Sequence, residues 1–417
     1  MRRVLEALGI VSARCEGPVD LWEDPLRIGL APAPGLDEQG LRQLLRLFES
    51  AVETGKASHA FEIYQVYLGG YAELGHRRGL MILGERLLRQ LAGAGEGRDQ
   101  VGLPPDLSAA QRFRVAFDWG LFRGALGGLA GEIDCYQAAI APAADSPLGQ
   151  VVAWRALAYA ERQRGRLRQA LIACDLSLEV PRAAGPAEQR LAEQQAVSEA
   201  LRTRLLHDLG RVAEVAQGGA DPQAASGPQW QEPLCGIWQA ERALELGQVQ
   251  ICEERSRGVL GNGETRRDSG LIARAHLCLG LSVLRRDPDC AKRHLNQAQG
   301  WIDRSDHTEL RLLAQELRSR IAGARGQWRS AFFDAFKGLR LAEDCGYGLI
   351  RVRLAVLVVR WALQRRAPLI LKRSCELLSS ALEQGAPDYA WGRADGLHQL
   401  EIAQRRLGDA SARETLQ

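Results

Sequence analysis

Glycine, four mostly polar residues, alanine and then a large apolar residue recur three times in this chain. The copies are Gly55-Lys-Ala-Ser-His-Ala60-Phe61, Gly165-Arg-Leu-Arg-Gln-Ala170-Leu171 and Gly326-Gln-Trp-Arg-Ser-Ala331-Phe332. Glycine permits a tight turn after one helix, and alanine lets the next helix lie close against the first. Recurrence of that unit specifies an array of helical hairpins, each stable only when stacked on its neighbours. The expected mode of action is binding.

A chain of 417 residues exceeds one ordinary globular core and must form several domains or one elongated solenoid. Leu, Ala, Arg, Glu and Gln are good helix formers and dominate, which predicts a nearly all-α protein. Only Lys56, Lys292, Lys337 and Lys372 are lysines, so arginine supplies nearly all 54 basic residues, and 51 acidic residues are interspersed with them. Joint enrichment of Ala, Gly and Arg is what a GC-rich genome writes. The mixed charge leaves no electrostatic footprint for nucleic acid. The nine cysteines are scattered, odd in number and form no CxxC, a pattern that fits a reducing cytoplasm. Met1-Arg-Arg-Val-Leu-Glu6 lacks the apolar core of a signal peptide, and no run of 18 apolar residues exists to span a membrane.

Residues 1–37 are rich in proline, with Ala31-Pro-Ala-Pro-Gly35 at their end, and read as an extended arm or cap. Leu21, Trp22, Leu26 and Ile28 are placed to cover the first hairpin. Helical periodicity begins with the stripe Leu41, Leu44, Leu45, Phe48 and Val52. Residues 38–216 are expected to form a first sub-array, 217–233 a glycine- and proline-rich linker, and 234–417 a second sub-array. Turns are expected near positions 55, 127, 165, 210, 247, 287, 326, 366 and 408, a period of roughly 40 residues and about nine or ten irregular hairpins.

The unit 151–181 resembles the tetratricopeptide repeat (TPR). Trp154, Leu157 and Ala158 match its first helix, Gly165 its turn, and Ala170, Ser177 and Pro181 its second helix and exit, with Cys174 in place of an aromatic. Residues 113–139 match through Trp119, Gly120, Gly127, Tyr136 and Ala139, with Glu132 standing where alanine is usual. Ser319, Gly326, Ala331 and Gly338 carry a third match. The resemblance implies an all-α, right-handed superhelix, a TPR-like α-solenoid. Its core is expected to include Trp154, Leu157, Ala158, Ala170, Leu171, Phe332 and Leu339. A further segment, Tyr67-Leu-Gly-Gly-Tyr71-Ala-Glu-Leu-Gly75-His-Arg-Arg-Gly79, is similar to the repeat regions of bacterial multidomain signal-transduction (STAND) ATPases, where the array is a sensor that captures a ligand protein. The ATPase motif G-x-x-x-x-G-K-[ST] is absent, so the resemblance implies a detached sensor or a stand-alone relative.

Chemistry-bearing motifs are sparse. Cys290 and His294 are spaced i, i+4, but no second pair lies near to complete a zinc site, so no metal is expected. Neither Cys/His nor Ser/His/Asp catalysis has a local signature, and Gly124-Ala-Leu-Gly-Gly-Leu-Ala-Gly131 follows a helical pattern and not the strand that a dinucleotide loop requires. No enzyme activity and no cofactor are expected. The basic run Arg351, Arg353, Arg360, Arg365, Arg366, Lys372 and Arg373 alternates with so many apolar residues that its helix should be sandwiched between neighbours, its arginines snorkelling or meeting an acidic partner.

In TPR arrays the first helix of each hairpin lines the concave groove. Carried onto this chain, that places Arg155, Tyr159, Arg162 and Gln163 there, beside Val152. Arginine and tyrosine are interface-anchoring types, and this row suits an acidic or extended segment of a partner protein, with the expectation that removing both arginines leaves the fold intact. The function implied is a non-catalytic scaffold or regulatory subunit. The alternative is the sensor of a bacterial signalling or anti-phage defence assembly whose partner is an ATPase, a protease or a transcription regulator.

Overall fold

The computed structural model describes residues 38–68, 80–93, 101–180, 187–217, 233–266, 268–305, 307–365 and 367–414. Residues 1–37, 69–79 and 218–232, which carry the arm, most of the Leu-Gly-Gly-Tyr segment and most of the linker, lie outside these. The described residues form helices and no strand. In chain order they are α1 (Glu38–Glu53), α2 (Ala57–Glu62, running into a wider turn at Ile63–Tyr67), α3 (Leu80–Leu91), α4 (Ala109–Ala125), α5 (Leu129–Ile140), α6 (Pro147–Arg164), α7 (Leu167–Glu179), α8 (Ala187–Asp208) and α9 (Val212–Gln217). There follow α10 (Pro233–Glu245), α11 (Val249–Arg266), α12 (Ser269–Val283), α13 (Pro288–Ser305), α14 (Thr308–Ala324), α15 (Trp328–Asp344), α16 (Gly348–Ala362), α17 (Pro368–Ser380, with a wider turn at Ala381–Gly385) and α18 (Ala390–Glu414).

The hairpin α6–α7 shows why the sequence folds this way. The Ser146 side chain accepts a hydrogen bond from the Gly149 amide at 3.1 Å and Pro147 occupies the first turn, so the helix start is capped and pre-set. Gly165 ends it at φ +87°, a left-handed conformation that costs other residues about 1–2 kcal/mol. Ala170 then packs fully buried, and the same arrangement recurs at Gly326 (φ +71°) and Ala331. In the α14–α15 hairpin the Ser319 hydroxyl donates to the Ala331 carbonyl at 2.8 Å and accepts from the Trp361 indole at 2.9 Å, tying the hairpin to α16. The α4–α5 hairpin solves the same problem in reverse. Glu132 stands at the alanine position, and the small residue is Gly124 on the facing helix, where any Cβ would collide with the Glu132 carboxylate. These hairpins make an all-α solenoid of the TPR-like kind.

Two sequence expectations change. No turn forms near Gly408, which lies inside the continuous helix α18; an isolated glycine without proline or a polar cluster lowers helix stability by about 1 kcal/mol without ending the helix. Trp154 and Phe332 are half-buried and pack against the edge of the core, whereas Leu157, Ala158, Ala170, Leu171 and Leu339 are inside it.

The solenoid closes on itself. Alternate helices α6, α8, α10, α12, α14 and α16 each contact the next, and α16 returns to contact α6, so six helices form an inner ring. The seam is tight. The turn at Gly165 meets Gly385, where a Cβ on Gly165 would collide with the Gly385 carbonyl oxygen, and the Tyr347 hydroxyl donates to the Gly124 carbonyl at 3.0 Å. One apolar core runs from Phe113 to Ala403 across both sides of 218–232. Helix α18 packs on α16 and α17, and its Trp391 donates to the His207 carbonyl at 2.8 Å while stacking on the His207 ring.

Candidate functional site: the inner wall of the ring

Because the inner helices are packed on the outer layer and also face one another, they are buried nearly all round. Helix α16 is the clearest case, with Leu349, Ile350, Val352, Leu354, Val356, Leu357 and Val359 all inside, as its breadth of apolar residues predicts. The charged side chains on the inner wall pair with one another across neighbouring helices.

Arg155, Arg162 and Gln163 are buried here, and Tyr159 is half-buried. They do not form an open groove face. Arg155 donates to the Gln194 carbonyl and side chain on α8. The Arg162 guanidinium donates to Asp208 at 2.7 Å. The Tyr159 hydroxyl donates to Glu309 at 3.0 Å, Gln163 donates to the same carboxylate at 2.7 Å, and Arg274 donates to the Tyr159 hydroxyl at 2.8 Å. The next inner helix, α8, takes up Arg155 and Arg162, and ring closure, which a single repeat does not encode, brings Arg274 of α12 and Glu309 of α14 onto Tyr159 and Gln163. Removing both arginines is accordingly expected to destabilise the fold.

The network continues around the wall. Arg204 bridges Asp208 at 3.0 Å and Glu245 at 2.7 Å, and His207 lies 2.9 Å from Glu245. Burial alone would raise the Glu245 pKa, but Arg204 and the hydrogen bonds from His207 and Arg204 override it and hold the carboxyl well below its usual range. Glu316 is likewise pushed up by burial and brought down further by Arg353 at 2.7 Å and Arg320 at 2.9 Å. Arg274 pairs with Glu309 and lies 3.8 Å from Glu241. Five arginines, Arg162, Arg204, Arg274, Arg320 and Arg353, thus share five carboxylates, Asp208, Glu241, Glu245, Glu309 and Glu316, several of them bridged twice. Mutual neutralisation is what makes so many buried charges tolerable.

Beside this network the ring holds a cavity of about 790 Å³ between α10, α12, α14, α16 and α18. Leu277, Leu281, Leu313 and Val356 give it apolar walls, Tyr389 and Trp391 an aromatic end, and Arg285, Arg286 and Arg360 a basic rim. Arg286 pairs with Glu253, and Arg360 forks onto Asp395 at 3.2 Å to both oxygens. The basic run 351–373 is thus divided. Arg353 and Arg360 serve the cavity, Arg351 pairs with Glu343 at 3.2 Å, and Arg365 lies over the Phe332 ring.

Most cavity residues lie on helices with no sequence match to the repeat, so the motif alone does not find them. The available signal is register. Counted back from the turn glycine, Glu316 and Arg320 on α14 occupy the positions of Arg155 and Tyr159 on α6.

Several other reactive groups are occupied or quenched. Burial pushes the Cys135 and Cys174 thiols up to about 12 and Cys252 up to about 11, so none is a thiolate near neutral pH. His294 pairs with His276 at 3.3 Å, and burial together with His294 depresses His276 to about 4. Among the described residues no three potential metal ligands cluster, and no helix is long and apolar enough to cross a membrane.

No family model matches the chain, and no curated protein matches it. Solved structures similar in outline include two of Rap proteins. One is a Rap protein complexed with competence and sporulation factor, at 11% identity over 89% of this chain and 99% of that one, TM-score 0.40. The other is the apo form of RapI, at 12% identity over 88% and 98% of the two chains, TM-score 0.32.

Proposed function

We propose that the chain is a non-catalytic binding module that receives an extended segment of a partner protein in the cavity of its closed ring. The observation that carries this reading is the cavity itself: about 790 Å³, with apolar walls, an aromatic end and ionic groups held in place by neighbouring helices. That volume falls within the usual range for ligand pockets, roughly 300–1,000 Å³. Since the wall arginines and carboxylates neutralise one another, the preferred segment carries apolar side chains on a polar backbone and little net charge, in place of the acidic segment expected from Arg155 and Arg162. Held side chains lower the ordering cost on binding. The depressed reactivity of the buried cysteines supports a binding role over nucleophilic catalysis.

Selection of a random peptide library on the immobilised protein tests the proposal. Enriched peptides should bind the wild type and lose at least tenfold affinity for Leu281→Trp, which fills the cavity from a half-buried position. Peptides that bind both proteins equally would remove the cavity from the function. Sequence likeness of the selected peptides to an ATPase, a protease or a transcription regulator would favour the sensor role over the free-standing scaffold.

A further inference from the structure

Helix α15 carries two stripes. Ala331, Ala335, Gly338, Leu339 and Ala342 face the core, as the repeat requires. On the opposite side Phe333, Phe336, Lys337 and Arg340 follow the i, i+3, i+4, i+7 spacing that normally marks a buried face, yet they face solvent, Phe333 with 61% of its surface exposed and Phe336 with 37%. The chain has only eight phenylalanines, and this helix places two of them outward. Arg365, in the turn leading into α17, brackets the face from over the Phe332 and Phe333 rings.

The charges along this face are ordered. Arg329 stands at its start, Lys337 and Arg340 in the middle, and Asp344 at its end, all exposed. Laid antiparallel on a second copy of itself, the helix sets Arg329 against Asp344 and Phe333 against Arg340. Both pairs share one midpoint, between Phe336 and Lys337, so a single two-fold axis satisfies them together and brings Phe336 beside Phe336 and Lys337 beside Lys337 of the other copy. Ion pairs then close both ends, a cation lies on each Phe333 ring, and the facing lysines limit the affinity.

We infer that the outer face of α15 is a homodimer interface, formed by antiparallel packing of α15 on α15 of a second copy. One helix face buries less than the ~1,200–2,000 Å² of a tight complex, so the dimer should be weak and concentration-dependent, with Kd in the micromolar range. It leaves the cavity of each ring untouched and is independent of what that cavity binds.

Sedimentation equilibrium on the full chain tests this. Phe333→Glu should weaken dimerisation at least ~30-fold, and Arg329→Asp or Asp344→Arg alone about tenfold by placing like charges opposite each other. The double variant Arg329→Asp with Asp344→Arg should return to within about threefold of wild type. The two residues are about 22 Å apart along one helix, so restoration can arise only between copies. All three positions are on the exposed face, and unchanged melting temperatures will show that folding is intact. A wild type monomeric at several hundred micromolar, or a double variant as weak as the single ones, would overturn the dimer. A monomer that binds anionic lipid vesicles through Phe333 would overturn it in favour of a lipid surface.

Discussion

The hairpins α6–α7 and α14–α15 share a turn, a close-packed alanine and a register, yet their two faces are used differently. On the inner side Arg155 and Tyr159 of α6 correspond to Glu316 and Arg320 of α14, so the same positions carry different charges. On the outer side Arg168, Ile172, Asp175 and Glu179 of α7 correspond to Arg329, Phe333, Phe336 and Arg340 of α15. The frame is set by small residues, which fix how closely helices approach. The faces are left open to be written by whatever lies opposite. For α6 that is the rest of the ring, and for the outer face of α15 we propose a second copy.

The largest test of this contrast is Arg162→Ala. Asp208 would be left with only Arg204 as its ionic partner in a fully buried site, and loss of a buried pair of this kind costs about 3–5 kcal/mol. The exposed Arg340, paired with Glu343 at 3.0 Å, should cost no more than about 0.5 kcal/mol when replaced by alanine. Urea unfolding of both variants measures the gap; equal losses would show that the inner wall is not a desolvated network.

Next come the turn glycines. Gly165→Ala meets both the left-handed backbone and the Gly385 carbonyl across the seam, whereas Gly326→Ala meets only the backbone penalty, with nothing within 4 Å of the new Cβ. The second should lose about 1–2 kcal/mol and the first clearly more, accompanied by faster hydrogen exchange at 381–386. Equal losses would mean that the ring is not closed at this seam.

The last test depends on pH and concerns the hairpin where glutamate replaces alanine. Burial, partly offset by a hydrogen bond with Tyr136 and reinforced by Glu309, raises the Glu132 pKa to about 8. The unfolded carboxyl releases its proton near 4.5. Between those values the folded state holds more protons, so stability is fully present below 4.5 and falls as pH rises to about 8, at most about 1.4 kcal/mol per unit. Glu132→Gln should remove that slope. Melting temperatures at pH 5 and pH 8.5 should converge more closely in the variant; an unchanged slope would place the titrating group elsewhere.

The sequence by itself determined the hairpins. Turn glycine, close-packing alanine and helical period are local properties, set by backbone conformation and by the separation of neighbouring helices, and a single repeat contains all of them. The inward direction of Arg155, Tyr159, Arg162 and Gln163 was legible for the same reason. Ring closure was not, because it sums small rotations between successive hairpins, and no one residue encodes that sum. Tertiary structure therefore decided that these four side chains meet Gln194, Asp208 and Glu309 instead of solvent, that the cavity lies further round the wall, between α10 and α18, and that an aromatic stripe with core spacing on α15 points outward. The physical reason is one and the same: which side of a helix is buried depends on what is brought against it, and that is fixed only when the last inner helix meets the first.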